Sequence, residues 1–283
     1  MSFELVTLKT GVISLRALDN KETFHPVTGP KVEASILHVQ QQRLVERSLE
    51  LAKTSNGSGK FVIWDVGLGA AANVLTAIEA IENQENNAAT IEIHSFDKST
   101  APLEFAIAHS RELGYLEAHH DKLNRLVAER RIQITPRLTW ILHLGDFQET
   151  VMDITLPAPH AIIYDPYSPV GNSEMWSLAH FTRLRSRLDP EVPCLFTNYT
   201  RSTAVRVTLL LAGFHVGIGS EVGEKAETSV ASNDLRMIQR PLERSWLERV
   251  RISKNSAPMT GPYSLAPISE EDFERLKKCP QFQ

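Results

Sequence analysis

The chain has 283 residues, of which 42% are hydrophobic and 23% charged, and its net charge is −4. That length and apolar content supply a core for one large domain, or for one domain with an elaboration. The acidic balance removes the global basic field of a general nucleic-acid binder but leaves room for a local basic patch. Two cysteines, Cys194 and Cys279, are too few and too far apart for a disulfide framework or a zinc site. The opening "MSFELVTLKTG" has no apolar leader, and the longest apolar run, "VTLLLAGF" at 207–214, is too short to cross a bilayer. A reduced, cytoplasmic setting without a membrane or a metal is therefore expected.

In chain order, "FELVTL" and "VISLRAL" read as a hairpin across Lys9-Thr10-Gly11, followed by the polar, turn-rich "DNKETFHPVTGP". From Lys31 the apolar residues Val32, Ile36, Val39, Leu44, Leu49 and Leu51 fall roughly on one helical face until the "TSNGSGK" loop. Strands and helices then alternate. The strands are "FVIWDV", "TIEIHSF", "LTWILHL", "HAIIYD", "CLFTNY" and "HVGIGSE". The helices are "ANVLTAIEAIEN", "PLEFAIAHSREL", "MWSLAHFTRLRSRL" and "STAVRVTLLLAGF". This alternation predicts an α/β domain with a mostly parallel sheet, whose ligands bind at the carboxyl ends of the strands. After Glu221 the pattern weakens. "GEKAETSVASNDL" reads as an exposed loop, "LRMIQRP" as a last edge strand, 242–254 as a basic amphipathic segment and 269–278 as a short helix. The expected parts are 1–58, a hairpin and helix packed on the core; 59–240, the α/β domain; and 241–283, a C-terminal extension.

Four acids fall at strand ends. The first strand closes on Asp65-Val66-Gly67-Leu68-Gly69 directly before a helix. Gly67 and Gly69 permit a tight turn and close approach of a ligand to the backbone. An acid here suits the ammonium of an amino-acid ligand and repels a pyrophosphate. The third glycine of a dinucleotide fingerprint is replaced by Ala72, so the loop favours S-adenosylmethionine (SAM) over NAD. Asp97 ends the second strand, where a nucleoside ribose meets an acid, or else it is a helix cap or a surface acid. Asp146, in "LHLGDF", can accept from an adenine amino group or serve as an N-cap. Asp165 ends "HAIIYD" and precedes Pro166 and Pro169, which stiffen the loop that presents it.

With these residues in hand, the chain resembles, over about residues 5–220, the methyltransferase half of the tRNA-modifying MnmC enzymes and their stand-alone relatives. "ETFHPVTGPKVEA" is similar to the family's H-[SP]-x-x-G-x-x-x-E-A element, matching His25, Gly29, Glu33 and Ala34. "DVGLGAAANVL" is similar to [ED]-x-G-F-G-T-G-x-N, matching Asp65, Gly67, Gly69 and Asn73. "LHLGD" corresponds to L-x-x-GD. "DPYSPVGNSEMW" is close to D-[AG]-F-[SA]-P-x-x-N-P-E-[ML]-W, and "VRVTLLLAGF" fits V-R-x-x-L-x-x-A-G-F throughout. Leu68 and Ala71 replace the family's Phe and second Gly, Pro166 and Tyr167 replace a small residue and Phe, and Ser173 replaces Pro. No second G-x-G-x-x-G unit appears, so the flavin-dependent oxidoreductase half is expected to be absent.

The resemblance implies a Rossmann-like class I SAM-dependent methyltransferase sheet with an N-terminal β-hairpin and helix elaboration. It implies methyl transfer to the amine of 5-aminomethyl(-2-thio)uridine at the tRNA wobble position, with the anticodon stem-loop as partner. The expected cofactor residues are Glu33, Asp65, Gly67, Gly69, Asn73, Asp97, Asp146 and Asp165; Asp165 and Tyr167 are the catalytic candidates. Asp165 would hold the amine for in-line attack, and Tyr167 would stack on an unstacked base or pack on Trp176, itself expected in the core. His25 reads as a turn residue with a family position near the cofactor, and Glu33 has an ordinary surface reading beside that match. Phosphate contacts would come from Arg201 and Arg206, or from the tail residues Arg236, Arg240, Arg244, Arg249, Arg251 and Lys254. Glu243 and Glu248 interrupt that tail, so an ion-pair-laced face is the plainer reading. The alternatives are a small-molecule amine methyltransferase, a spermidine-synthase-like aminopropyltransferase and a non-catalytic partner-binding protein. "YDPYSPVG" favours the second, and "GLGAAA" fits its usual glycine loop poorly.

Overall fold

The computed structural model describes residues 2–25, 28–84, 89–224 and 226–283. The expected N-terminal hairpin forms from β1 (Phe3–Thr7) and β2 (Ile13–Ala17), antiparallel with Phe3 opposite Ala17. Next come α1 (Pro30–Ala34), opened by a proline at its first turn, and α2 (Leu44–Thr54). The sequence reads 31–51 as one helix, but Ser35–Gln40 forms a π-helical turn and Arg43 is left-handed at φ 50°. The interruption has a polar cause. It turns His38 and Gln42 inward, where His38 Nδ1 lies 2.8 Å from Thr197 Oγ1. Gln42 Nε2 donates to Ile162 O at 3.0 Å and to Thr197 Oγ1 at 2.7 Å. Buried amides and imidazoles need such partners.

The alternating region runs β3 (Lys60–Val66), α3 (Ala72–Glu82), β4 (Thr90–Asp97), α4 (Ala101–Ala108), α5 (Ser110–Leu113) and α6 (His120–Glu129). It continues with β5 (Arg131–Thr135), β6 (Leu138–Leu144), α7 (Phe147–Thr150), β7 (Ala161–Tyr164), α8 (Leu178–Ser186) and β8 (Leu195–Asn198). It ends with α9 (Thr203–Leu211), β9 (His215–Gly219), β10 (Thr228–Ser232), α10 (Trp246–Ile252) and α11 (Glu270–Lys277). The eight-stranded sheet has the order β5-β6-β4-β3-β7-β8-β10-β9. Its five central strands are parallel, and β5, β10 and β9 run antiparallel to their neighbours. Helices cover both faces, so β7 and β8 are buried at every position, as apolar parallel strands require. From β3 the chain moves outward through β4 and β6, then returns to place β7 on the other side of β3. The crevice at the carboxyl ends of β3 and β7 is therefore the topological switch point.

Three elements add to the sequence pattern, α6, β5 and the short α7. Two readings are corrected. The expected loop over 223–235 contains β10, inserted between β8 and β9 and buried at all five positions. Its composition, Thr-Ser-Val-Ala-Ser, hides it from hydropathy, and its hydroxyls are satisfied internally. Ser229 Oγ donates to Thr200 O at 2.8 Å and Thr228 Oγ1 to Ser220 O at 2.9 Å. The expected edge strand "LRMIQRP" is instead a 3-10 turn, Leu235–Met237, followed by a single bridge between Gly217 and Pro241.

The C-terminal residues share the main core. Leu247, Val250, Phe273, Leu276 and Phe282 pack in one cluster with Leu210, Phe214 and Phe196. Met259 N–H donates to Thr208 Oγ1 at 2.9 Å, and Leu178 N–H donates to Met259 O at 2.7 Å. Both cysteines are buried free thiols. Among the described residues no helix is long and apolar enough to cross a membrane.

Candidate active site

A cavity of about 740 Å³ opens at the carboxyl ends of β3, β4 and β7, closed on one side by the turn after β2. Its floor is the glycine loop. Gly67 has φ 89°, and a Cβ there would stand 2.6 Å from the carbonyl oxygen of Asp165. Only glycine lets the two strand ends approach this closely. Gly69 has φ 51° and lies against the Phe24 ring. Ala71, where the resembled family carries glycine, is also left-handed at φ 63° and caps α3.

Asp97 ties the loop to β4. Its Oδ2 accepts from Gly69 N at 2.9 Å and its Oδ1 from Ser99 N at 3.2 Å, and burial raises its pKa. Asp65 is 1% exposed and stands behind the cavity lining. Ser95 Oγ donates to its Oδ2 at 2.7 Å and itself accepts from Trp140 Nε1 at 2.9 Å. Asp65 Oδ1 has no partner among the described residues. Burial pushes this carboxyl up to about 7 against the pull of the Ser95 bond, with Asp165 and Asp97 adding to the rise.

Asp165 follows β7 and lines the cavity. Asn73, at the start of α3, donates Nδ2 to Asp165 Oδ2 at 2.6 Å, while its own Oδ1 is buried and unpartnered among the described residues. Glu33, on α1, is 7% exposed in the same lining, so its ordinary surface reading is replaced by burial. His25 stands between them, with Nδ1 3.9 Å from Glu33 Oε2 and Nε2 3.9 Å from Asp165 Oδ2.

The loop after Asp165 is held by more than its prolines. Glu22 accepts from Ser168 N at 2.9 Å and from Ser168 Oγ at 2.7 Å. Tyr199 donates to Pro166 O at 3.2 Å, and Trp176 Nε1 donates to Tyr167 O at 2.9 Å. Glu22, Phe24 and Tyr199 are site residues that the sequence reading leaves out. The first two lie in a stretch that reads as a plain polar turn, and Tyr199 follows a strand without a motif. Trp176 is fully buried, as expected for a core residue. Tyr167 packs edge-on against Phe24, centroids 5.8 Å apart, and not against Trp176. Burial, with Asp97, Glu22 and Asp19 nearby, pushes its phenol up to about 12, so it stays an O–H group.

Besides Asp65, two expected residues stand outside the lining. Asp146 lies outside the cavity lining and caps α7, accepting from Gln148 N at 2.9 Å and pairing with Lys98 at 3.0 Å. Burial opposes its charge, but these partners outweigh it and its carboxyl lies below the ordinary range. Arg206 is 1% exposed and faces β10, donating to Ser229 Oγ, Thr228 O and Glu227, so it is unavailable to phosphate. The tail arginines are largely spent on the protein: Arg249 pairs with Glu227, Arg251 with Glu270, and Arg244 donates to Phe282 O.

The cavity is a trap for cations. Glu22, Glu33, Asp97, Asp165 and Glu174 line it, against one lysine, Lys98, itself paired with Asp146. The donor groups of a sulfonium amino acid fit this lining. The orphaned acceptors Asp65 Oδ1 and Asn73 Oδ1 need donors, and the glycine loop leaves space that a Cβ would fill.

Residues 114–234 match the model of a family described as S-adenosyl-L-methionine-dependent methyltransferase. No curated protein matches the sequence. The fold is similar to the crystal structure of MnmC2 from Aquifex aeolicus, with 22% identity and a TM-score of 0.70 over 97% of this chain and 82% of that one. It is also similar to a spermidine synthase in complex with the transition-state analogue AdoDATO, with 10% identity and a TM-score of 0.50 over 96% of this chain and 78% of that one. Family match, sheet topology and a cation-accepting glycine-loop cavity together make the chain an S-adenosyl-L-methionine-dependent methyltransferase with an MnmC-like fold.

Proposed function

We propose that the enzyme N-methylates a primary alkylamine, the aminomethyl group of 5-aminomethyl(-2-thio)uridine at the wobble position of tRNA, in the cytoplasm. The observation that carries this reading is Asp165, a carboxylate in the cavity wall at the switch point, fixed by Asn73 at 2.6 Å. When bound, SAM supplies an activated methyl group. Glu33, Asp97, Asn73 and the Gly67–Gly69 backbone are the residues that would hold it, with Asp65 behind them. Asp165 would accept a hydrogen bond from the amine and orient it, which is most of what an in-line transfer asks of a protein. Tyr167 and Phe24 offer an aromatic wall for the base that carries the amine. The MnmC-like fold supports tRNA as the partner, with the anticodon stem-loop as the part engaged and the exposed Arg201 as a candidate phosphate contact.

A second reading, a small free amine as acceptor or aminopropyl transfer to it, is favoured by the acidic lining and by the likeness to spermidine synthase. One experiment separates them. The protein is incubated with SAM or decarboxylated SAM and either undermodified tRNA, 5-aminomethyluridine or putrescine. Methyl incorporation into tRNA from SAM, abolished in Asp165→Ala, supports the first reading. Transfer only to putrescine, or only from decarboxylated SAM, refutes it.

A further inference from the structure

His25 lines the cavity yet makes no hydrogen bond among the described residues. Its two ring nitrogens face Glu33 and Asp165, each at 3.9 Å, beyond hydrogen-bond reach. The ring is bracketed by two acids and bonded to neither. The backbone delivers it there under constraint. Phe24 is pinned to β2, its N–H donating to Leu15 O at 2.8 Å and its carbonyl accepting from Ser14 Oγ. His25 then takes a left-handed φ of 47°, rare for a residue with a Cβ. Such backbone persists only where the surroundings impose it, and it concentrates at functional positions.

We infer that His25 is the proton acceptor that converts the bound alkylammonium into the nucleophilic amine. The inference rests on the amine reading of this site. In the step, one N–H bond of the ammonium breaks, its electron pair stays on nitrogen, and the proton bonds to Nε2 of the imidazole. Asp165 keeps a hydrogen bond to a remaining N–H, and Glu33 faces the Nδ1 side of the resulting imidazolium. Chemistry favours an imidazole over the neighbouring carboxylates. A free alkylammonium titrates near 10.4, a free carboxyl near 4 and a free imidazole near 6.5, so a carboxylate base is mismatched by roughly six units and an imidazole by roughly four. The cavity itself stabilises the ammonium, which makes a dedicated acceptor the more necessary. Other titratable groups around His25 do not compete. Burial, with the charge of His25 adding to it, pushes His38 down to about 3, and burial holds the Tyr199 phenol well above its usual range, with Asp165, Glu22 and Glu33 adding.

The test compares wild type with His25→Gln and His25→Ala, using undermodified tRNA, 5-aminomethyluridine and ethylamine as acceptors. SAM affinity by calorimetry is expected to stay within about threefold. At pH 7 kcat falls about 100-fold. The variant's rate then rises about tenfold per pH unit through pH 9, as the small fraction of free amine in solution grows, while wild type levels off earlier. A second readout needs no turnover. Ethylamine is titrated into the S-adenosylhomocysteine complex in phosphate and in Tris, which gives the number of protons exchanged with buffer. Wild type keeps the proton on the protein, and the variants release more than it does. A variant with the same pH profile and proton count as wild type overturns the inference and leaves the amine reading standing. A wild type that methylates none of the three amines overturns both.

Discussion

Replacing Asp65 by Asn should stabilise the protein without its cofactor while weakening the grip on SAM. The carboxyl is buried with one oxygen unpartnered, and its pKa rises from 3.8 to about 7. Between those values the folded state holds a proton that the unfolded state has lost, so stability falls as pH rises through that window. At about 1.4 kcal/mol per unit, the three-unit rise leaves the ionised carboxylate costing about 4 kcal/mol at pH 8. An Asn side chain keeps an acceptor for Ser95 and places a neutral amide where the orphaned oxygen stands. If that amide finds no partner it costs about 1–3 kcal/mol, so the variant should be about 1–3 kcal/mol more stable at pH 8. Urea denaturation of both proteins from pH 5 to 8.5 measures this. The gap between them should widen by about 1.4 kcal/mol per unit up to pH 7 and then level off. SAM affinity should drop in the same variant, because the negative charge behind the Gly67–Gly69 loop that favours the ligand's ammonium is lost. A variant less stable than wild type at pH 8, or a gap that does not change with pH, would refute the reasoning.

Ala71→Gly should raise stability by about 1 kcal/mol, because Ala71 holds φ 63° and glycine removes the left-handed cost; the gain would appear as a higher urea midpoint at unchanged m-value. Gly67→Ala should abolish SAM binding in calorimetry, since its Cβ would meet the Asp165 carbonyl at 2.6 Å and force the two strand ends apart. Arg206→Met should cost about 3–5 kcal/mol, read from denaturation midpoints, because Glu227 and the β10 polar groups lose a buried partner 3.0 Å away. Arg206→Met should leave SAM affinity unchanged in the folded protein, since Arg206 faces away from the cavity.

The alternation of apolar strands with amphipathic helices determined the sheet. Strands buried on both faces are mostly apolar, so β3, β4, β7 and β8 are visible as runs in the sequence. Glycines and acids at their ends then mark the switch point, and Gly67, Asp97, Asn73, Glu33 and Asp165 do line one cavity. Hydropathy carries no such signal for β10, whose Ser and Thr are buried because their partners lie just past the ends of β8 and β9 and on Arg206. Nor could periodicity divide α1 from α2, since the break serves Thr197 and Ile162, far along the chain.

The same limit applies to the site. Glu22 and Phe24 read as turn residues until folding sets them against Ser168 and Gly69. Asp146 and Arg206 carry the right side chains in the right motifs, yet one caps a helix and the other braces a strand. A side chain's chemical type is written in the sequence. Its burial and its partners depend on contacts between segments distant in the chain, as with Glu22 and Ser168, and only the folded chain brings those together.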